Sequence, residues 1–196
     1  SLYMLKELII KAGCNINELK TIKDNKKSIQ SSLEKVKNAD LIITTGGVSV
    51  GKKDLIKSVL AKLDFKLKFW RVSVVPGKPL LFGLLNKVPL FGLPGNPVSS
   101  YVCFMLFVLK AINKMNSSEK IKLKSKNVKL KNEFYHSSER TAYLRGRILK
   151  SKGEEYVKVL SDQDSSLLKQ LSYSNCLVKV KPIAKKFKPD AILKII

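Results

Sequence analysis

Gly92-Leu93-Pro94-Gly95-Asn96-Pro97-Val98-Ser99-Ser100 decides how the rest of this 196-residue chain is read. An apolar run, Val88-Pro89-Leu90-Phe91, precedes it and reads as a buried strand; the apolar segment from Tyr101 to Ile112 follows it and reads as a helix. Asn96 is a suitable N-cap, and Pro97 suits the first helical position. The stretch is therefore a strand, a tight glycine turn and a helix N-terminus, whose backbone N–H groups favour an anion. Two more glycine turns follow apolar strands: Thr44-Thr45-Gly46-Gly47-Val48-Ser49-Val50-Gly51 and Pro76-Gly77-Lys78-Pro79. Together the three predict a site for a phosphorylated or otherwise anionic small molecule.

Outward from that stretch, strands and helices alternate. Leu2, Leu5, Ile9 and Ala12 share one helical face, and Gly13 ends that helix. Residues 14–22 read as a short strand, and Asp24 as the cap of a helix that buries Ile29, Leu33 and Val36. Ala39 to Thr44 reads as a strand, Asp54 precedes a helix with Leu55, Val59 and Leu60 inside, and Lys68 to Val75 reads as another strand. Leu80 to Leu85 and Val88 to Leu93 are two strands joined at Asn86-Lys87. The expected class is α/β: a layered α/β/α domain with a mostly parallel sheet over residues 1–115, whose three glycine turns gather at one sheet edge. A polar linker follows, and then short alternating strands at Ile121, Val128, Tyr143, Tyr156, Cys176 and Ala191. They predict a small β-rich sandwich or barrel over residues 120–196, with a helical turn or two between Ser165 and Leu171.

Composition narrows the function classes. The chain has 38 Lys+Arg against 15 Asp+Glu, a net charge of +23. That invites a nucleic-acid reading, but the lysines are spread along the chain and no nucleic-acid motif is present, so solvated lysine faces are the expectation. Cys14, Cys103 and Cys176 are far apart and form neither a disulfide framework nor a zinc motif, which suits a reducing cytoplasm. His136 is the single histidine and reads as a loop residue, so a histidine triad is not expected. No segment reads as long and apolar enough to span a membrane. Phe69 and Trp70 read as core or interface, and Cys103 as a small buried hydrophobe.

The three glycine motifs, in this order and at this spacing, resemble the molybdopterin molybdenumtransferase family (bacterial MoeA and the E domain of gephyrin). The β-rich tail fits that family's C-terminal domain. Arg140-Thr-Ala-Tyr-Leu-Arg145 resembles its arginine-bearing strand, and Gln163-Asp-Ser165-Ser166 its serine-bearing turn. The resemblance implies the last step of molybdenum cofactor assembly, in which adenylylated molybdopterin and molybdate are bound with Mg²⁺, the metal enters the dithiolene and AMP leaves. The family's α/β domain begins with a strand and an acidic Thr-Gly-Asp-Glu type turn, and this chain starts just beyond them. The expectation is therefore the C-terminal part of a longer protein, or a truncated gene product, homodimeric in its full-length form.

The resemblance also distributes roles. Asp54 takes the magnesium-binding and catalytic position, and Lys78 the catalytic lysine near molybdate. Gly46, Gly47, Val48, Ser49 and Gly51 cradle phosphates or pterin; Pro94, Gly95, Asn96, Pro97 and Ser99 frame the same pocket. Arg140 and Ser165, or Ser166, contact molybdate, while Arg145 and Arg147 read equally well as solvated strand residues. The competing reading is a truncated, non-catalytic molybdopterin-binding or scaffolding relative. A related molybdopterin adenylyltransferase would share the α/β domain, but the Pro-Gly-Asn-Pro turn and the β-rich tail speak against it.

Overall fold

The computed structural model describes residues 1–48, 55–117, 123–151, 153–166 and 168–196. The chain divides into two compact units, one built from Ser1–Val72 and Gly77–Ile121 and the other from Ser73–Pro76 and Lys122–Ile196.

In the first unit, α1 (Leu2–Lys11) buries Leu5 and ends at Ala12 and Gly13. Residues 14–22 form no strand: Ile16 and Leu19 stand three apart among Asn15, Asn17, Glu18 and Lys20, which is no strand period. The cap of α2 (Lys26–Glu34) is Asn25 rather than Asp24, because Asn25 has the extended backbone a cap requires and its Oδ1 accepts the Ser28 N–H at 2.9 Å. Then come β1 (Ile42–Thr45), α3 (Leu55–Leu60), β2 (Phe65–Trp70), β3 (Val74–Val75), β4 (Leu81–Leu85), β5 (Val88–Leu93) and a helix α4 spanning Pro97–Met115, which contains a π turn at Phe104–Val108. The expected strand Lys68 to Val75 is split. Arg71, at φ 71°, breaks it, and β3 pairs with the second unit's β8.

The sheet order is β1-β5-β4-β2. Only β1 and β5 run parallel; the β5–β4 and β4–β2 pairs are antiparallel. The α/β class stands, with a described sheet that is mixed rather than mostly parallel. The cause is local: Asn86 and Lys87 both have positive φ and make the two-residue turn that joins antiparallel neighbours. Leu81, Leu85 and Leu90 pack on one face with Ile29, Leu33, Ile56, Val59 and Leu60. Phe82 belongs to the alternate set and stacks with Phe69 and Phe91, at centroid distances of 5.4 and 4.5 Å.

By length and composition α4 is able to cross a membrane, which corrects the reading that no segment is. Half of it is buried in this unit, and Val98, Val102, Phe104, Leu106, Leu109 and Ile112 are core residues, so burial accounts for its apolarity.

The second unit contains β6 (Lys126–Leu130), β7 (Phe134–Ser138), β8 (Thr141–Ser151), β9 (Glu154–Val159), a short helix Leu168–Tyr173, β10 (Cys176–Val180), β11 (Ile183–Phe187) and β12 (Ile192–Ile195). Strands β10, β12, β6, β9 and β8 pair in a ring that closes on β10, so the unit is a five-stranded barrel. The 11-residue β8 makes closure possible: Ala142–Gly146 pair with β10 and Gly146–Ser151 with β9. The interior holds Val128, Leu130, Ala142, Leu144, Val157, Val178 and Ile195. Strands β7 and β11 form a separate two-stranded sheet, held by the stacked Phe134 and Phe187 rings at 4.9 Å. His136 lies in β7, not in a loop. Of the strand expected at Ile121, residues 121 and 122 lie outside the described residues, and Leu123 and Lys124 belong to no strand.

Candidate functional site

The first unit brings the glycine turns to one end of its sheet. In the parallel β1–β5 pair Thr44 lies opposite Gly92 and Thr45 opposite Leu93, so the Gly46-Gly47 and Pro94-Gly95 turns leave adjacent carboxyl ends. Gly46 and Gly47, at φ 87° and 66°, occupy the left-handed region that side chains avoid. A Cβ on Gly95 would stand 3.4 Å from the Gly46 Cα, so the two backbones are in contact. Hydrogen bonds lock them: Gly46 N–H donates to Leu93 O at 3.0 Å, Thr45 Oγ1–H to Pro94 O at 3.1 Å, and Ser100 Oγ–H to the same carbonyl.

The helix end is partly consumed by its own cap. Asn96 Oδ1 accepts the N–H groups of Val98 and Ser99 at 3.1 and 3.3 Å. The Ser99 and Ser100 side chains are buried, as is Pro94, so these three frame the turn from within. Val48 is a packing residue: it is 1% exposed, and its carbonyl accepts the Trp70 indole N–H at 3.4 Å. The surface offered to a ligand consists of Gly46, Gly47, Asn96 and Pro97, half-buried, and Gly95, exposed. Ser49, Gly51 and Asp54 lie outside the described residues.

The third turn reaches the same edge. Strand β4 is antiparallel to β5 with Leu81 opposite Gly92, so residues 77–80 stand beside the Pro94 turn. Lys78 is exposed, and its carbonyl accepts the N–H groups of Val72 and Leu80, both at 3.0 Å. Trp70, opposite Leu81 on β2, ends there too, with Lys57 Nζ 3.3 Å and Arg71 Cζ 4.1 Å from its ring centroid. These cations make it a half-buried cation–π platform, a role its apolar neighbours in sequence concealed. Below the turn, the buried Cys103 thiol donates to Gly77 O at 3.4 Å, and burial pushes its pKa up to about 12. Cys176 is likewise pushed up to about 11, so neither is a nucleophile at neutral pH.

In the second unit, Arg140 is half-buried and donates from Nη1 to Val74 O at 3.2 Å. Ser165 is half-buried in a turn ordered by its acidic neighbours: Asp162 Oδ1 accepts the Asp164 N–H at 2.9 Å, and Asp164 Oδ1 accepts the Ser166 N–H at 2.8 Å. The Ser166 hydrogen bonds, with the nearby Arg145 charge, hold the Asp164 carboxyl below the usual range. Arg147 is exposed, as read. Arg145 is not: it is 1% exposed, which corrects the solvated reading. Its Nη2 donates to Asp162 O at 3.2 Å and Asp164 O at 3.0 Å, carbonyls that no strand pattern reveals.

Residues 1–114 match the family described as probable molybdopterin binding domain, and residues 127–189 match the MoeA C-terminal region (domain IV). The molybdenum cofactor synthesis protein cinnamon of Drosophila melanogaster is 37% identical over 191 residues, covering 93% of this chain and 32% of that protein. A molybdopterin molybdenumtransferase of Nostoc is 31% identical, covering 94% of this chain and 44% of its own. The chain thus spans less than half the length of these relatives. In fold, it is similar to the MoeA protein of Pyrococcus horikoshii OT3, with a TM-score of 0.75 at 22% identity over 99% of this chain and 45% of that one. A molybdenum cofactor biosynthesis protein of Pyrococcus furiosus gives a TM-score of 0.71 at 23% identity, covering 100% of this chain and 63% of that one. The chain belongs to the molybdopterin-binding domain family, in the MoeA arrangement that follows this domain with the MoeA C-terminal region.

Proposed function

We propose that this chain works in molybdenum cofactor biosynthesis as part of a molybdopterin molybdenumtransferase, which binds adenylylated molybdopterin and molybdate, inserts the metal into the dithiolene and releases AMP. The observation that carries this reading is the meeting of Gly46-Gly47 and Gly95 at the carboxyl ends of two adjacent parallel strands. Ligands of open α/β sheets bind there. Bare backbone at that edge lets phosphate oxygens approach amide dipoles closely. The Thr45 and Ser100 bonds to Pro94 hold the turns ready, so little ordering is left for binding to impose. Lys78, exposed at the same edge, supplies positive charge for an anionic substrate. In the second unit Arg140 and Ser165 are the donors for an oxyanion; one bond to Val74 orients the Arg140 fork, which carries five N–H groups.

Mg²⁺ fits this chain as an ion carried between one carboxylate, substrate phosphates and water, its usual coordination. Among the described residues no three His, Cys, Asp or Glu side chains cluster to form a protein cage, and Asp54 is the residue that would hold the ion. Bound there, it would neutralise charge developing on the phosphoanhydride. The full-length protein is proposed to be a cytoplasmic homodimer; three free thiols support a reducing compartment.

Calorimetric titration of adenylylated molybdopterin in the presence of Mg²⁺ tests the reading. Saturable binding is expected, weakened about tenfold (~1.4 kcal/mol) in Asp54→Ala. A folded chain that takes up no ligand would sink the claim that these residues suffice and would favour the non-catalytic or scaffolding relative.

A further inference from the structure

Arg145 has no place in the reading above, yet it is the largest side chain buried below 2% exposure. A buried guanidinium ordinarily faces a carboxylate. Here the hydrogen-bonded partners of Nη2 are main-chain carbonyls, Asp162 O at 3.2 Å and Asp164 O at 3.0 Å, while the carboxylates of those residues accept the N–H groups of Asp164 and Ser166. The buried Nε has no partner. The peptide of Arg145 is tied to the same turn: Gln163 Oε1 accepts the Arg145 N–H at 2.9 Å, and Gln163 Nε2 donates to Arg145 O at 3.0 Å and Leu160 O at 2.8 Å. Leu160 N–H closes the set on Arg145 O at 3.0 Å. Backbone and side chain of one barrel residue thus hold a seven-residue loop, 160–166, that has no regular structure of its own.

We propose that Arg145 is a positioning residue: it fixes the Asp162–Ser166 turn so that Ser165 meets the oxyanion substrate in one conformation, and it adds a buried positive charge beneath that turn. The proposal rests on the reading of Ser165 as an oxyanion contact. The carbonyls of Asp162 and Asp164 are drawn toward the guanidinium, which sets the orientation of the peptides flanking Ser165. A positive charge in a low-dielectric interior also acts on a nearby anion more strongly than a solvated one does. The chain's many exposed lysines do not substitute for it, because they are solvated and screened.

The test uses the whole chain, with sodium molybdate as the probe, in Arg145→Met, Arg145→Lys, Gln163→Ala and Ser165→Ala. Met keeps the volume of the stem and removes the donors; Lys keeps charge and donors. Expected are a tenfold or greater loss of molybdate affinity in Arg145→Met, recovery to within threefold of wild type in Arg145→Lys, and no further loss when Ser165→Ala is added to Arg145→Met. Hydrogen exchange supplies a readout that needs no ligand: the Asp164 and Ser166 amides lose protection at least tenfold in Arg145→Met, while those of Val157 and Val178 in the barrel keep theirs. Equal behaviour of the Met and Lys variants, or wild-type affinity and protection in Arg145→Met, overturns the proposal. If Arg145→Met does not fold, Gln163→Ala decides: faster exchange at Asp164 and Ser166 with weaker molybdate binding supports the turn's role, and unchanged values for both overturn it. Failure of the underlying reading looks different. Wild-type molybdate affinity in Ser165→Ala removes Ser165 as a contact, whatever the exchange rates show.

Discussion

One methyl group at position 92 tests how tightly the two ligand-facing turns are coupled. A Cβ on Gly92 would stand 2.6 Å from Val48 Cγ1 and 3.3 Å from Leu81 Cβ, and Val48 is too buried to step aside. Gly92→Ala is expected to destabilise the chain by about 1–3 kcal/mol through overpacking, read from the urea midpoint at constant slope. Gly153→Ala is the matched control. It meets no atom within 4 Å, so only its backbone at φ 81° resists, by about 1 kcal/mol. An equal shift in the two variants would show that contact with Val48 is not what limits position 92. Val48 and Arg145 mark the limit of reading residues singly. The Val48 side chain looked like part of a phosphate loop and is a wedge between β1 and β5. Arg145 sits in an alternating strand, where a charge reads as solvent-facing; only the Asp162 and Asp164 carbonyls, 17 and 19 residues away, explain its burial. Asn96 was legible because its partners, Val98 and Ser99, are adjacent in sequence.

Elements with a strong apolar period were legible in the same way. The β4–β5 hairpin and α4 were placed within a residue or two, because Leu81, Leu85 and Leu90 on one side and Val98, Val102 and Leu109 on the other mark buried faces directly. Strands β7 and β11 were missed for the opposite reason: Tyr135, Ile183 and Lys186 are exposed, and the pair is held by Phe134 on Phe187 rather than by alternation. That small sheet carries a pH response. His136 faces Lys185 across the ladder, its buried Nε2 has no partner, and burial holds its pKa below 6.5. As pH falls below about 6.5 the unfolded chain therefore takes up a proton before the folded chain does, and stability declines. The thermal midpoint of wild type is expected to fall further than that of His136→Gln between pH 7.5 and 5.5. Parallel curves for the two proteins would remove His136 from the response.

At the scale of the whole molecule, charge dominates. With a net charge of +23, repulsion acts across the entire surface, whereas exposed pairs such as Lys129–Glu154 and Lys186–Glu133 contribute about 0–1 kcal/mol each. Raising salt from 0.01 M to 0.1 M shortens the screening length from about 30 Å to about 10 Å, so repulsion should fade by more than the pairs lose. The thermal midpoint is expected to rise by a few degrees over that range, and a fall would mean that ion pairs, not net charge, govern stability. The chain's path has a further result. Ser73–Pro76 belong to the second unit, where Val74 and Val75 pair with Thr141 and Ala142, although more than forty residues of the first unit follow them. Severing the chain in its polar stretch near residue 118 would leave the N-terminal fragment holding four residues that the other fragment's sheet requires. Neither half is a module that a single recombination crossover could transplant intact, so ancestors of this chain would have had to inherit the two together.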